Sequence, residues 1–157
     1  MIFSNTTPFI ALCAIGRLEL LPALFGRIHV VLPVARECAA GGVIKVPALE
    51  TLPWVTVLPV SVTDPEPMLT QLDEGEKWTL HAARQAGAHL LLIDERIGRN
   101  LAERMGLKVM GTLGVLLMAH RAGLIASFTV EAQAMREHGL FFHPRLIERL
   151  AKSVGEQ

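Results

Sequence analysis

The feature that most constrains this chain is a set of short apolar runs with no alternation of polarity, set between helix-like stretches. Met1–Ser4, Ile28–Leu32, His89–Ile93 and Leu107–Met110 each read as strands of this kind. A strand with one wet face alternates apolar and polar residues. A strand without alternation is covered on both faces, which happens when helices cross over between parallel strands. The expectation is an α/β fold: a parallel twisted sheet of about four or five strands flanked by helices.

The intervening segments carry their own start and stop signals. Thr6 or Thr7 is placed to cap a helix with Pro8 at its first position, running Phe9–Ile15 and stopped by Gly16. Leu18–Phe25 contains Pro22, which should shorten or kink it. Pro33 opens a helix through Ala40, and Glu74–Ala86 begins at Asp73 and ends at Gly87. Ile97–Met105 is closed by Gly106, Leu113–Ala122 has Thr112 as its cap, and Val130–His138 and Pro144–Val154 complete the set. Between them, Trp54–Val57 and Val60–Val62 have strand character. Five prolines (Pro47, Pro53, Pro59, Pro65 and Pro67) confine those two to edges or extended connections, with a helical turn at Met68–Leu72. At 157 residues and 51% apolar composition, one domain over residues 1–157 accounts for the whole chain.

Several classes are disfavoured. Lysine plus arginine and aspartate plus glutamate number 15 each, so a globally basic nucleic-acid binder is not expected and any such contact must be local. Charge is nonetheless segregated. Asp64, Glu66, Asp73, Glu74 and Glu76 have no basic residue among them, whereas Arg96, Arg99, Arg104 and Lys108 face Glu103 alone. Cys13 and Cys38 lack zinc-site spacing and read as free thiols of a cytoplasmic protein. The apolar N-terminus has no basic flank and breaks at Ser4–Pro8, so it reads as strand and turn. No apolar run approaches the ~18 residues of a membrane span.

In a parallel sheet, ligands sit beyond the carboxyl ends of the strands. The residues there are Ser4-Asn5-Thr6, Glu37 in the helix after the second strand, Glu76 in a first helical turn, Asp94, and Thr112. Each acid has an ordinary alternative: Glu76 with Asp73 as a capping box, Asp94 as a cap, Glu37 as a solvent-facing helix residue. Convergence of all three on one rim argues otherwise. Like charges at 4 Å cost roughly 4 kcal/mol per pair at an effective dielectric near 20, so such a cluster takes up protons, basic partners or a cation. An all-oxygen donor set suits Mg²⁺ or Mn²⁺, which can activate a water against a phosphodiester. Arg96 and Arg99, flanking Asp94, are candidates for gripping phosphate, and Thr6 and Thr112 for positioning water or phosphate.

These residues resemble the PIN-domain superfamily of metal-dependent ribonucleases, and within it a prokaryotic family of uncharacterised toxin-like members of toxin–antitoxin modules. The matching segments are Ser4–Leu12, Ile15–Leu21, Pro33–Glu37, Leu72–Glu76, Leu91–Arg96 with Gly98-Arg99, Gly111–Leu117 and Gly123–Ile125. The resemblance implies a three-layer α/β/α fold. It also implies a quartet of metal-binding positions, here Asn5, Glu37, Glu76 and Asp94, of which the three acids would be catalytic. It further implies RNA cleavage with Mg²⁺ or Mn²⁺, and for toxin members a small antitoxin partner. Active members usually carry aspartate where this chain has Asn5, an amide that offers one neutral oxygen and no base. The leading expectation is therefore a metal-dependent ribonuclease. The alternative is a weak or inactive PIN-like module that binds protein or RNA. A receiver-like phosphoacceptor would need a lysine after the last strand, but Lys108 lies within it. A homodimer is also expected, because Leu113–Ala122 is apolar almost all round.

Overall fold

The computed structural model describes residues 1–157. Five strands form one sheet: β1 (Ile2–Ser4), β2 (Ile28–Val31), β3 (Val55–Leu58), β4 (Leu90–Leu92) and β5 (Val109–Met110). Every pairing is parallel and the order is β3-β2-β1-β4-β5. The connections are α1 (Thr6–Ala14), α2 (Leu20–Phe25), α3 (Leu32–Ala39), α4 (Glu74–Gln85) and α5 (Arg96–Arg104), followed by α6 (Thr112–Arg121), α7 (Phe128–Glu137) and α8 (Pro144–Ser153). Short 3₁₀ turns lie at Leu49–Thr51 and Pro67–Gln71.

Both faces of the sheet are covered, which is why its strands lack alternation. Leu92 points into the larger core with Phe9, Leu116 and Phe128, whereas its neighbours Leu91 and Ile93 point the other way, into a second core with Phe3, Leu80 and Leu101. The larger core draws on α1, α2, α3, α6 and α7, and the smaller on α4 and α5. Phe3, Phe9, Leu91, Leu92, Ile93 and Phe128 have no exposed surface. Truncating such a side chain to alanine costs about 3–5 kcal/mol for an aromatic.

Some expectations are corrected. Val60–Val62 is not a strand: β3 already forms the sheet edge, and no further strand lies outside it to pair with. The first helix starts at Thr6 with Asn5 as its N-cap, and α6 starts at Thr112 with Gly111 as its N-cap, so neither threonine is the cap. Leu113, Val115, Leu116 and Leu117 of α6 are buried within the chain, where α6 packs on α1, α2 and α7. No helix is long and apolar enough to cross a membrane.

The order places the topological switch between β1 and β4, the central neighbours, from which the chain winds outward in opposite directions. Crevices at such points are where open α/β sheets bind ligands. Asn5 and Asp94 follow these two strands, and the Asn5 amide continues the ladder by donating to the Leu92 carbonyl at 2.9 Å.

Candidate metal centre

Each of the three acids is reached by a different route. Glu37 projects from α3, and the Thr6 hydroxyl at the start of α1 donates to its Oε2 at 2.7 Å. Glu76 sits in the first turn of α4, which Asp73 caps by accepting the Glu76 amide at 2.8 Å. Asp94 follows β4 and receives two donors from one residue: the Thr112 amide to Oδ1 at 2.8 Å and the Thr112 hydroxyl to Oδ2 at 2.5 Å. Thr6 and Thr112, both buried, thus hold acids in place, and their hydroxyl protons are committed to carboxylates.

A glycine lies against each carboxylate. A β-carbon on Gly75 would stand 2.3 Å from Glu37 Oε1, and one on Gly111 would stand 2.9 Å from Asp94 Oδ1 and 2.8 Å from an Arg99 nitrogen. At Gly98 it would lie 3.6 Å from Glu76 Oε2 and press on Ile93 at 2.7 Å. None of these three glycines has positive φ, so the backbone does not call for glycine there; the space taken by Glu37 at Gly75, by Asp94 and Arg99 at Gly111 and by Ile93 at Gly98 does. Read along the sequence, Gly75 and Gly98 are merely helix residues. Spacing alone carries no signal of what they face.

A PIN-domain family model matches residues 1–156. The chain belongs to the PIN-domain family. No curated protein matches it. Among solved structures it is similar to a PilT N-terminus domain protein, SSO1118, from the hyperthermophilic archaeon Sulfolobus solfataricus P2. That match has 16% sequence identity and a TM-score of 0.58, and covers 76% of this chain and 93% of that one. At that identity the likeness is one of fold, and it agrees with the five-stranded parallel sheet described above.

The electrostatics of this PIN domain differ from corner to corner. Burial, with the charges of Asp73, Glu95 and Glu37 and the side chain of Asp73, pushes the Glu76 carboxyl up to about 7. Burial also raises Asp94, against the Thr112 hydroxyl and amide and the Arg99 charge that favour its ionised form. Arg99 thus approaches Asp94, while Arg96 stands exposed at the start of α5. Asn5 is 6% exposed, and its side-chain oxygen is buried without a hydrogen-bond partner. The side chains do not bring three His, Cys, Asp or Glu residues within reach of one ion. The Glu37 charge reaches Glu76, while Asp94 is held to the Thr112 side.

Proposed function

We propose that this PIN domain is a Mg²⁺- or Mn²⁺-dependent ribonuclease whose site comprises Asn5, Glu37, Glu76 and Asp94. The observation that carries the proposal is the Asn5 side-chain oxygen, buried without a donor beside the switch point. An unsatisfied buried acceptor costs about 1–3 kcal/mol. A hydrated cation held with the three carboxylates would satisfy it. The donor set fits such an ion, being all oxygen and carrying up to three negative charges.

A bound divalent ion supplies charge neutralisation at the phosphodiester and a water of lowered pKa. The chain's own groups supply the rest. Thr112 fixes the plane of the Asp94 carboxylate through two hydrogen bonds, and Thr6 does the same for one oxygen of Glu37. Glu76, whose carboxyl burial and the surrounding acids raise to about 7 in the metal-free chain, would be drawn to its ionised form by a bound cation and so help to hold it. Arg99 beside Asp94 is placed to meet a phosphate oxygen with its planar fork.

The test is RNA cleavage in Mg²⁺ or Mn²⁺ by the wild type, Glu76→Gln and Asp94→Asn. Loss of activity in both variants supports the proposal, and equal activity in all three defeats it. Within this reading, a toxin restrained by a small antitoxin and a homodimeric state are narrower proposals that rest on the family. Growth arrest on expression tests the first, and the mass by light scattering tests the second.

A second reading has an observation of its own. Asn5 brings no charge and no base, and the three acids are not drawn together. On that reading the fold is kept as a binding module, and Mn²⁺ leaves its melting temperature unmoved.

A further inference from the structure

One side chain of fixed positive charge stands beside the proposed ion site. Arg99 lies one turn into α5, its backbone amide donating to the Glu95 carbonyl at 2.8 Å. It is partly buried, and with Asp94 it lines a cavity of about 480 Å³ on which it is the only arginine or lysine. A β-carbon on Gly111 would stand 2.8 Å from an Arg99 nitrogen and 2.9 Å from Asp94 Oδ1, so the two groups meet across that glycine. They nevertheless form no ion pair. None of the ion pairs in the chain includes Arg99, and Glu103, one turn further along α5, does not take it either. Asp94 is held by Thr112 instead, through two hydrogen bonds.

An arginine without a carboxylate partner acts in two opposed ways at such a place. Every charge that acts on Glu76 is acidic, whereas the Arg99 charge reaches Asp94. A cation that draws on Asp94 repels a second cation held by the same acid. At about 7 Å and a dielectric near that of water, a unit charge weakens the binding of a divalent ion by roughly five- to tenfold. Asn5 adds no charge to offset that repulsion. The same guanidinium offers an anion a planar fork whose donors no carboxylate takes up. A phosphodiester against the fork brings the missing negative charge and cancels the repulsion. Ion and phosphodiester then favour one another, and such coupling is reciprocal.

We propose that Arg99 is a positioning residue with effects of opposite sign: it loosens the divalent ion in the free protein, and it orients a phosphodiester laid against its fork. The second half of this role rests on the nuclease reading. The first half needs only a bound cation. Together they set ion affinity against turnover, which the four metal-site positions by themselves do not.

The experiment compares the wild type, Arg99→Gln and Arg99→Lys by calorimetric titration with Mn²⁺ at pH 8, where ionised carboxylates are favoured in every variant. RNA cleavage at saturating Mn²⁺ and melting in EDTA are measured in parallel. Arg99→Gln should bind Mn²⁺ about five- to tenfold more tightly and yet cleave at least about tenfold more slowly. Arg99→Lys keeps the charge and loses the fork, so it should bind Mn²⁺ like the wild type and still cleave more slowly. All three should melt alike. An arginine that serves only the fold would instead lower ion affinity, cleavage and melting temperature together in Arg99→Gln, and that result overturns the proposal. Equal Mn²⁺ affinity in wild type and Arg99→Gln also overturns it, even where the wild type cleaves RNA. Tighter binding by Arg99→Gln with no cleavage by any of the three upholds the effect on the ion and removes the nuclease reading. Absence of saturable Mn²⁺ binding by the wild type removes both.

Discussion

Two carboxylates, one in the middle of the chain and one near its C-terminus, show what a fold does with an acid it needs for stability and with one it does not. Glu156 lies over the start of α7, where the Phe128 and Thr129 amides donate to it at 2.8 Å each and the Ser127 hydroxyl donates at 3.1 Å. Burial alone would raise its carboxyl, but those donors outweigh burial and hold it down at about 2. Glu76 also stands at a helix start, α4, yet burial and three neighbouring acids push it up to about 7. The same residue type at the same kind of helix end is thus served in one place and left unserved in the other. The first arrangement stabilises the protein. The second costs stability, a cost that the proposed cation would offset.

The comparison is broken most sharply by catalysis. Glu76→Gln and Asp94→Asn should each lower the rate of Mn²⁺-dependent RNA cleavage by more than about 100-fold. Glu156→Gln should leave that rate within about twofold, because Glu156 serves only the fold. A smaller effect is expected from Gly75→Ala. The new methyl would overlap Glu37 Oε1, the movable end of its side chain, so the carboxylate is displaced and the helix is not. Cleavage should fall about 10–100-fold, while alanine's helix propensity keeps or raises the melting temperature. Asn5→Asp should strengthen Mn²⁺ binding by about tenfold through its added charge.

The smallest effects are those on stability, and they have opposite signs. Glu156 has a depressed carboxyl, so its contribution is complete above about 4.5, the ordinary value, and is lost as pH falls toward 2. Glu156→Gln should therefore cost about 1–2 kcal/mol at neutral pH, with a melting temperature lower by about 2–8 °C. Glu76 has a raised carboxyl, so metal-free protein should lose stability as pH rises from about 4.5 through 7. Allowing for solvent screening at this partly exposed group, Glu76→Gln should gain about 1 kcal/mol at pH 8 without metal, and no gain is expected near pH 4. Melts across pH with EDTA check both.

Much of the fold was legible because strands without alternation leave few alternatives to a parallel sheet covered on both faces. Asn5, Glu76 and Asp94 stood out for a related reason: they follow strand ends or open helices, places that a linear reading marks. Glu37 lies late in α3, and only packing shows that it faces Gly75. The particular hydrogen bonds were not legible. Thr6 and Thr112 look like helix caps, yet each hydroxyl is taken by an acid brought from elsewhere in the chain, Glu37 and Asp94. The glycines at 75, 98 and 111 matter through what they face, and tertiary packing alone determines that. Val60–Val62 failed as a strand because β propensity counts only where a partner strand exists.

The central claim is that Asn5, Glu37, Glu76 and Asp94 hold a divalent cation. Calorimetric titration of the full chain with Mn²⁺ at pH 7.5 tests it most directly. The prediction is one saturable site per chain in the wild type, lost in a Glu76→Gln, Asp94→Asn double variant that melts as a folded protein. Absence of saturable binding in the wild type, or binding unchanged in the double variant, would contradict it.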